Sequence, residues 1–190
     1  MNQQVINSTD EQDICIGCGF CCDGTLFERA ALLPGEKESG KLPRKIEENH
    51  VKTAKGEWFS LPCHYFKGKC SIYNLHKAHV CSAFRCKLLH KFSIGKLSKT
   101  EALNIVIEAR DQRQSIVDLA KSIWNKDLSF YQITKELNDD EEKYTTGENA
   151  QINLLIIKIK IFNVLMTRFF KSKEEFNFYL NVNEPTEEIQ

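Results

Sequence analysis

The sequence carries no surplus of charge: 26 Lys and Arg balance 26 Asp and Glu. No global field would draw it onto nucleic acid or an anionic membrane, and neither is expected as a partner. It has no Gly-rich phosphate loop, nucleophile elbow or paired-carboxylate arrangement, so any enzymatic chemistry must start from a metal. The opening stretch, Met1-Asn2-Gln3-Gln4-Val5-Ile6, has no basic start followed by an apolar run and does not read as a secretory signal. A cytosolic, reducing location is therefore expected. No internal repeat is visible, and 190 residues suffice for one ordinary core.

The second half also lacks cysteine. All 8 cysteines fall between Cys15 and Cys86, and in a reducing compartment such clustering points to metal ligation or redox work rather than to disulfides. Up to Lys96 there are 14 Lys and Arg against 10 Asp and Glu, and after it 12 against 16. The basic excess of the first half has the sign of a counter-charge for metal-bound thiolates.

The first cysteine group is Cys15-Ile16-Gly17-Cys18-Gly19-Phe20-Cys21-Cys22. A C-x2-C pair lets two sulfurs reach one ion, and Gly17 and Gly19 free the backbone to turn and aim amides at them. Three cysteines at this spacing partly match ferredoxin loops, but the fourth follows at once instead of after three residues. Neighbouring side chains diverge, so Cys21 and Cys22 are expected to serve different metals or different corners of one polynuclear centre. The second group comprises Cys63, Cys70, Cys81 and Cys86, at intervals that match no common zinc finger. Sulfurs from it are expected to complete sites begun by the first group. His64, His76 and His79 lie close enough in sequence to replace a thiol, and His76 and His79 would share a face on a helix. Surface or supporting roles suit them better, since cysteine alone suffices. His50 and His90 have no visible constellation. Phe20, Phe66, Tyr73 and Phe84 read as a dry wall around the sulfurs, because no basic stripe accompanies them.

Leu33 to Pro43 is dense in breakers and charges and reads as a connecting surface loop. Ser98-Lys99-Thr100-Glu101 predicts a capping box ahead of a long amphipathic helix with apolar positions Ala102, Ile105, Val106, Ala109, Ile116, Val117, Ala120, Ile123 and Trp124, mostly at three- and four-residue intervals. A shorter helix is expected over 130–137, then an acidic turn from Asn138 to Glu142. The apolar run from Ile152 to Phe170 reads as a helix with a broad buried face, since Lys158, Lys160 and Arg168 make a membrane span expensive. A last helix is expected to begin at Ser172-Lys173-Glu174-Glu175.

Taken in order, C-x2-C-x2-C-C, Asp23-Gly24-Thr25-Leu26-Phe27, Pro62-Cys63, Gly68-Lys69-Cys70-Ser71-Ile72-Tyr73 and Cys81-x2-Phe84-x-Cys86 resemble the YkgJ-type cysteine-cluster family, bacterial proteins described as zinc- or iron-chelating. The resemblance spans Cys15 to Leu89 and implies that Cys15, Cys18, Cys21, Cys22, Cys63, Cys70, Cys81 and Cys86 are metal ligands. The family commonly has Arg-Pro ahead of the third of the later cysteines and an arginine after it. This chain has His76-Lys77-Ala78-His79 and Ser82 instead, with one extra residue between Tyr73 and Cys81. The family is also similar to the larger flagellin lysine N-methylases, which adds a metal-dependent protein-modifying enzyme to the functional classes. A zinc-stapled interaction module with an unknown protein partner is the third class.

The expected fold is mainly α. An irregular cysteine-rich metal-binding lobe over 11–96, holding zinc or an iron–sulfur cluster, packs on a helical region over 97–182, and 1–10 and 183–190 read as flexible termini.

Overall fold

The structure is a computed structural model describing residues 8–54, 56–139 and 149–171. Its elements run α1 (Ser8–Cys18), β1 (Arg29–Leu32), α2 (Arg44–Glu48), β2 (His50–Thr53), β3 (Gly56–Ser60), α3 (His79–Ala83), α4 (Lys87–Ser93), α5 (Lys99–Trp124), α6 (Phe130–Asp139) and α7 (Ala150–Phe169). The fold is mainly α, with one small sheet.

The helical half forms where its pattern predicts. The Ser98 hydroxyl accepts from the Glu101 amide at 3.2 Å, and the Glu101 carboxylate accepts from the Ser98 amide at 2.7 Å, closing the capping box that starts α5. Asn125, in the left-handed region at φ 52°, ends it. The inner positions of α5 include Ala102, Ala109 and Ala120, and α7 packs along this helix with Ile152, Leu155, Ile159, Phe162 and Met166 buried. Those α7 positions recur at three or four residues, which aligns them on one face. By length and composition α7 could also cross a membrane. Leu154, Ile157, Ile161 and Val164 form its exposed side, and Lys158 on its flank donates to the Ser115 hydroxyl of α5 at 2.8 Å. Ser129 and Gln132 form a second reciprocal cap, which the sequence reading passed over, ahead of α6.

The first half is more regular than expected. α1 occupies 8–18, so Ser8, Thr9 and Asp10 are helical rather than a loose terminus. Its pattern escapes a periodicity search because one strongly apolar residue, Ile14, anchors it in the core, while Cys15 and Cys18 fill the rest of its inner face. β1, β3 and β2 form an antiparallel sheet in that order, with Ala30 opposite Phe59 and Val51 opposite Trp58. These strands are too short to alternate visibly; only Leu32 and Phe59 among their residues are buried. The expected termini at 1–7 and 183–190, the helix beginning at Ser172 and the acidic turn beyond Asp139 lie outside the described residues.

Two apolar cores result. The larger joins α1, α4, α5, α6 and α7 around Phe20, Leu26, Leu88 and Phe162. The smaller lies under the sheet, among Leu32, Leu42, Ile46, Phe59, Ile72 and Ala78. A seam fixes α4 to the end of α7. Lys87 and Lys91 donate to the Thr167 and Arg168 carbonyls at 3.0 and 3.3 Å, and the Lys87 amide donates to the Phe170 carbonyl at 3.4 Å. These bonds engage carbonyls that a helix C-terminus leaves without partners.

Candidate metal centre

Cys15 and Cys18 lie on the last turn of α1, and the chain then reverses. The Gly19 amide donates to the Cys15 carbonyl at 3.1 Å, and the Gly19 carbonyl accepts from the Cys22 and Asp23 amides at 2.8 and 3.0 Å. Gly19 takes φ +73°, a region that glycine enters without the penalty of a Cβ. The turn aims the Phe20 amide at the Cys18 sulfur, which favours the thiolate there. α5 braces the same turn: Arg110 donates to the Gly17 carbonyl at 2.8 Å, and Arg113 stands 3.7 Å from the Asp23 carboxylate. Burial raises the Asp23 carboxyl, opposed by the Thr25 hydrogen bond and by Arg113.

The remaining cysteines reach this turn from three directions. The Cys63 amide donates to the Cys22 carbonyl at 2.8 Å, so the chain leaving β3 is hydrogen-bonded directly to the first group. Cys63 and Cys70 belong to a tight loop closed by the Phe66–Cys70 bridge, and the Tyr65 and Phe66 amides point at the Cys63 sulfur. Cys81 rides on α3, whose first amide, at His79, donates to Glu36 at 2.6 Å. The 33–43 loop therefore positions a cysteine-bearing element as well as connecting its neighbours. Cys86, buried, is the residue that starts α4.

All eight cysteines line one cavity of about 300 Å³, together with Phe20, Phe66, Tyr73 and Phe84. None is in a disulfide. Within the cavity they divide four and four. Burial is the largest cause raising the Cys18 and Cys21 thiols; the sulfurs that raise them further are Cys86 and Cys15 at Cys18, and Cys18, Cys86, Cys15 and Cys22 at Cys21. Burial likewise dominates at Cys22, followed by Cys70, Cys81 and Cys63. The Cys81 thiol is pushed up to about 12 by burial and then by Cys63 and Cys70. One group is thus Cys15, Cys18, Cys21 and Cys86; the other is Cys22, Cys63, Cys70 and Cys81. They adjoin where Cys15 senses Cys70, Cys22 senses Cys15 and Cys21 senses Cys22. The packing divides in the same way, since Cys15, Cys18, Cys21 and Cys86 border the larger core, whereas Cys63 and Cys70 border the smaller. As the side chains stand, no three Cys, His, Asp or Glu among the described residues form a group that could hold an ion.

The histidines stand apart. None of His64, His76 and His79 lines the cavity, and the 74–78 stretch is not helical, so His76 and His79 share no helix face. His64 is exposed beside Asn49. His50, for which the sequence suggested no constellation, pairs with Glu57 at 3.0 Å, and Lys52 meets the same carboxylate at 2.6 Å. β2–β3 pairing puts Lys52 opposite Glu57, a signal that becomes legible only with the register in hand.

The two motif glycines differ. A Cβ on Gly19 would come within 2.6 Å of the Phe66 ring, whereas Gly17 is helical with nothing near. Gly19→Ala should therefore lower unfolding stability by about 1–2 kcal/mol in urea titrations, while Gly17→Ala should leave it unchanged or raise it by up to about 1 kcal/mol. Equal effects at both positions would remove the special role assigned to Gly19.

No family model matches the chain, and no curated protein and no solved structure is significantly similar to it.

Proposed function

We propose that the chain is a thiolate metal-binding protein with two four-cysteine centres, one of Cys15, Cys18, Cys21 and Cys86, the other of Cys22, Cys63, Cys70 and Cys81. The observation that carries this reading is that all eight cysteines line one cavity, with Cys15, Cys18, Cys21 and Cys86 against the larger core and Cys63 and Cys70 against the smaller. Eight incidental thiols would have no reason to gather this way. The donor set fits: four thiolates match a zinc site or an iron–sulfur cluster, and each group has backbone amides directed at one sulfur, Cys18 in the first and Cys63 in the second.

Burial raises the Cys18 and Cys22 thiols, which favours their protonated form. Binding of a metal by these thiols would release their protons, which makes metal affinity depend on pH. The Phe20, Phe66 and Phe84 rings exclude water, and the amides at Cys18 and Cys63 offset part of the accumulating negative charge. Zinc would supply a structural clamp at these positions, and an iron–sulfur cluster a one-electron carrier. The resemblance to YkgJ-type proteins agrees with this reading.

Anaerobic purification followed by metal analysis and visible spectroscopy tests it. Two centres per chain are expected, as stoichiometric zinc in a colourless protein or as iron and sulfide in a brown one. Fully reduced protein that retains neither metal, and takes up neither on reconstitution, would sink the proposal.

A further inference from the structure

Beside the thiol cavity lies a second, of about 230 Å³, walled by Glu11, Gln12, Asn74, Lys77, Ser82 and Arg85 with Tyr73 and Phe84. Two sulfurs, Cys15 and Cys81, border both cavities. They come from different groups, and Cys81 is the exposed cysteine of the eight. The second cavity is therefore bordered by one cysteine of each proposed centre.

Its walls carry two cations and one anion. Lys77 donates to the Tyr73 carbonyl at 2.6 Å and lies 4.0 Å from the centre of that ring, which holds its ammonium in place. Arg85 meets Glu11 through Nη2 at 3.1 Å, a contact that leaves the rest of its donor fork for a second carboxylate. One positive charge is thus left over, in a chain whose overall charge is zero. Both cations are felt at the Cys15 sulfur, and Lys77 also at Cys81. The volume falls below the roughly 300–1,000 Å³ typical of sites that enclose drug-sized ligands, so a small molecule is the right scale.

We propose that this second cavity binds a small carboxylate-bearing ligand, seated between Lys77 and Arg85 with Cys15 and Cys81 at its inner end. As a port through which a carboxylate carrier delivers or removes metal, it rests on the reading above; its preference for anions does not. Arg85 takes the carboxylate edge-on, Lys77 supplies a point charge, and Ser82 and Asn74 add neutral hydrogen-bonding groups.

The experiment uses the full-length, reduced, metal-free protein at low salt. Iodoacetate, an anion, and iodoacetamide, its neutral counterpart, are compared at each cysteine by peptide mass spectrometry. Both reagents need the same thiolate, so their rate ratio cancels any change in thiol ionisation. The ratio should be higher at Cys81 than at Cys63, a member of the same group that does not border the second cavity. In the Lys77→Gln, Arg85→Gln double variant the Cys81 ratio should fall about threefold to tenfold, toward that of Cys63. Ser82→Glu, which adds a negative charge while keeping both cations, should lower it as well and serves if the double variant fails to fold. Equal ratios at Cys81 and Cys63 in the parent protein, or a Cys81 ratio that a folded variant leaves unchanged, would overturn the proposal. Metal content, measured separately, identifies a failure of the metal-binding reading as distinct from this one.

Discussion

Replacing Cys21 with serine should halve the metal content, and replacing Cys22 should halve it too, but from opposite ends of the site. Cys21→Ser should expose Cys18 and Cys86 to alkylation while Cys63 and Cys81 remain protected; Cys22→Ser should do the reverse. The reason is the parting of two adjacent side chains. Cys21 stands with Cys18, Cys86 and Cys15, whereas Cys22 stands with Cys70, Cys81 and Cys63. Removing one of four thiolates typically abolishes a tetrahedral structural site, because the remaining three leave the ion open to water and chelators. Metal per chain with residue-resolved protection decides the matter. If either substitution stripped both groups together, one shared polynuclear centre would replace two.

The second large effect is on stability. Phe20→Ala should lower the free energy of unfolding by about 3–5 kcal/mol, a large share of the roughly 5–15 kcal/mol that holds most domains together. Phe20 is fully buried between Cys18 and Cys21 in the chain, and its ring meets Phe162 at 6.2 Å and Phe170 at 5.4 Å, both edge-on. It ties the cysteine turn to α7, so its loss leaves a void lined by two rings that have no other way to close it. Ile161→Ala, on the exposed side of the same helix, should change stability by less than about 1 kcal/mol. Urea titration followed by tryptophan fluorescence measures both. A Phe20 effect as small as that of Ile161 would mean that the two halves are held together elsewhere.

Comparing these elements with their sequence shows what can be read locally. α5 and α7 were legible because every signal they need lies within a few residues: the Ser98–Glu101 cap, the three- and four-residue spacing of Ala102, Val106 and Ala109, and that of Ile152, Leu155 and Ile159. The sheet was not, because β1 and β2 gain their place only from β3, and a four-residue strand such as Arg29–Leu32 carries too few inward residues to show a period. α1 was hidden for a different reason. Its cysteines read as ligands, though Cys15 and Cys18 also pack beside Ile14 against the larger core. The eight thiols themselves were visible from clustering. Which distant sulfur stands with which was not legible, since Cys86 joins Cys18 only through the packing of α4 against α1. The polar second cavity was equally hidden, because Glu11 and Arg85 come together only in the folded chain.

The seam between α4 and α7 turns Cys86 into the short arm of a lever. Cys86 starts α4, and the next residue, Lys87, holds α7 twice, by its amide to Phe170 and by its ammonium to Thr167. A shift of the Cys86 sulfur therefore reaches the last turn of α7 through one peptide unit, without having to cross the tightly packed interior of α5. The two ends of that linkage differ in kind, one a thiol able to change partners and the other a row of main-chain carbonyls. A probe of carbonyl hydrogen bonding at 167–170, such as isotope-edited infrared spectroscopy, would thus record at a distance a displacement of that sulfur.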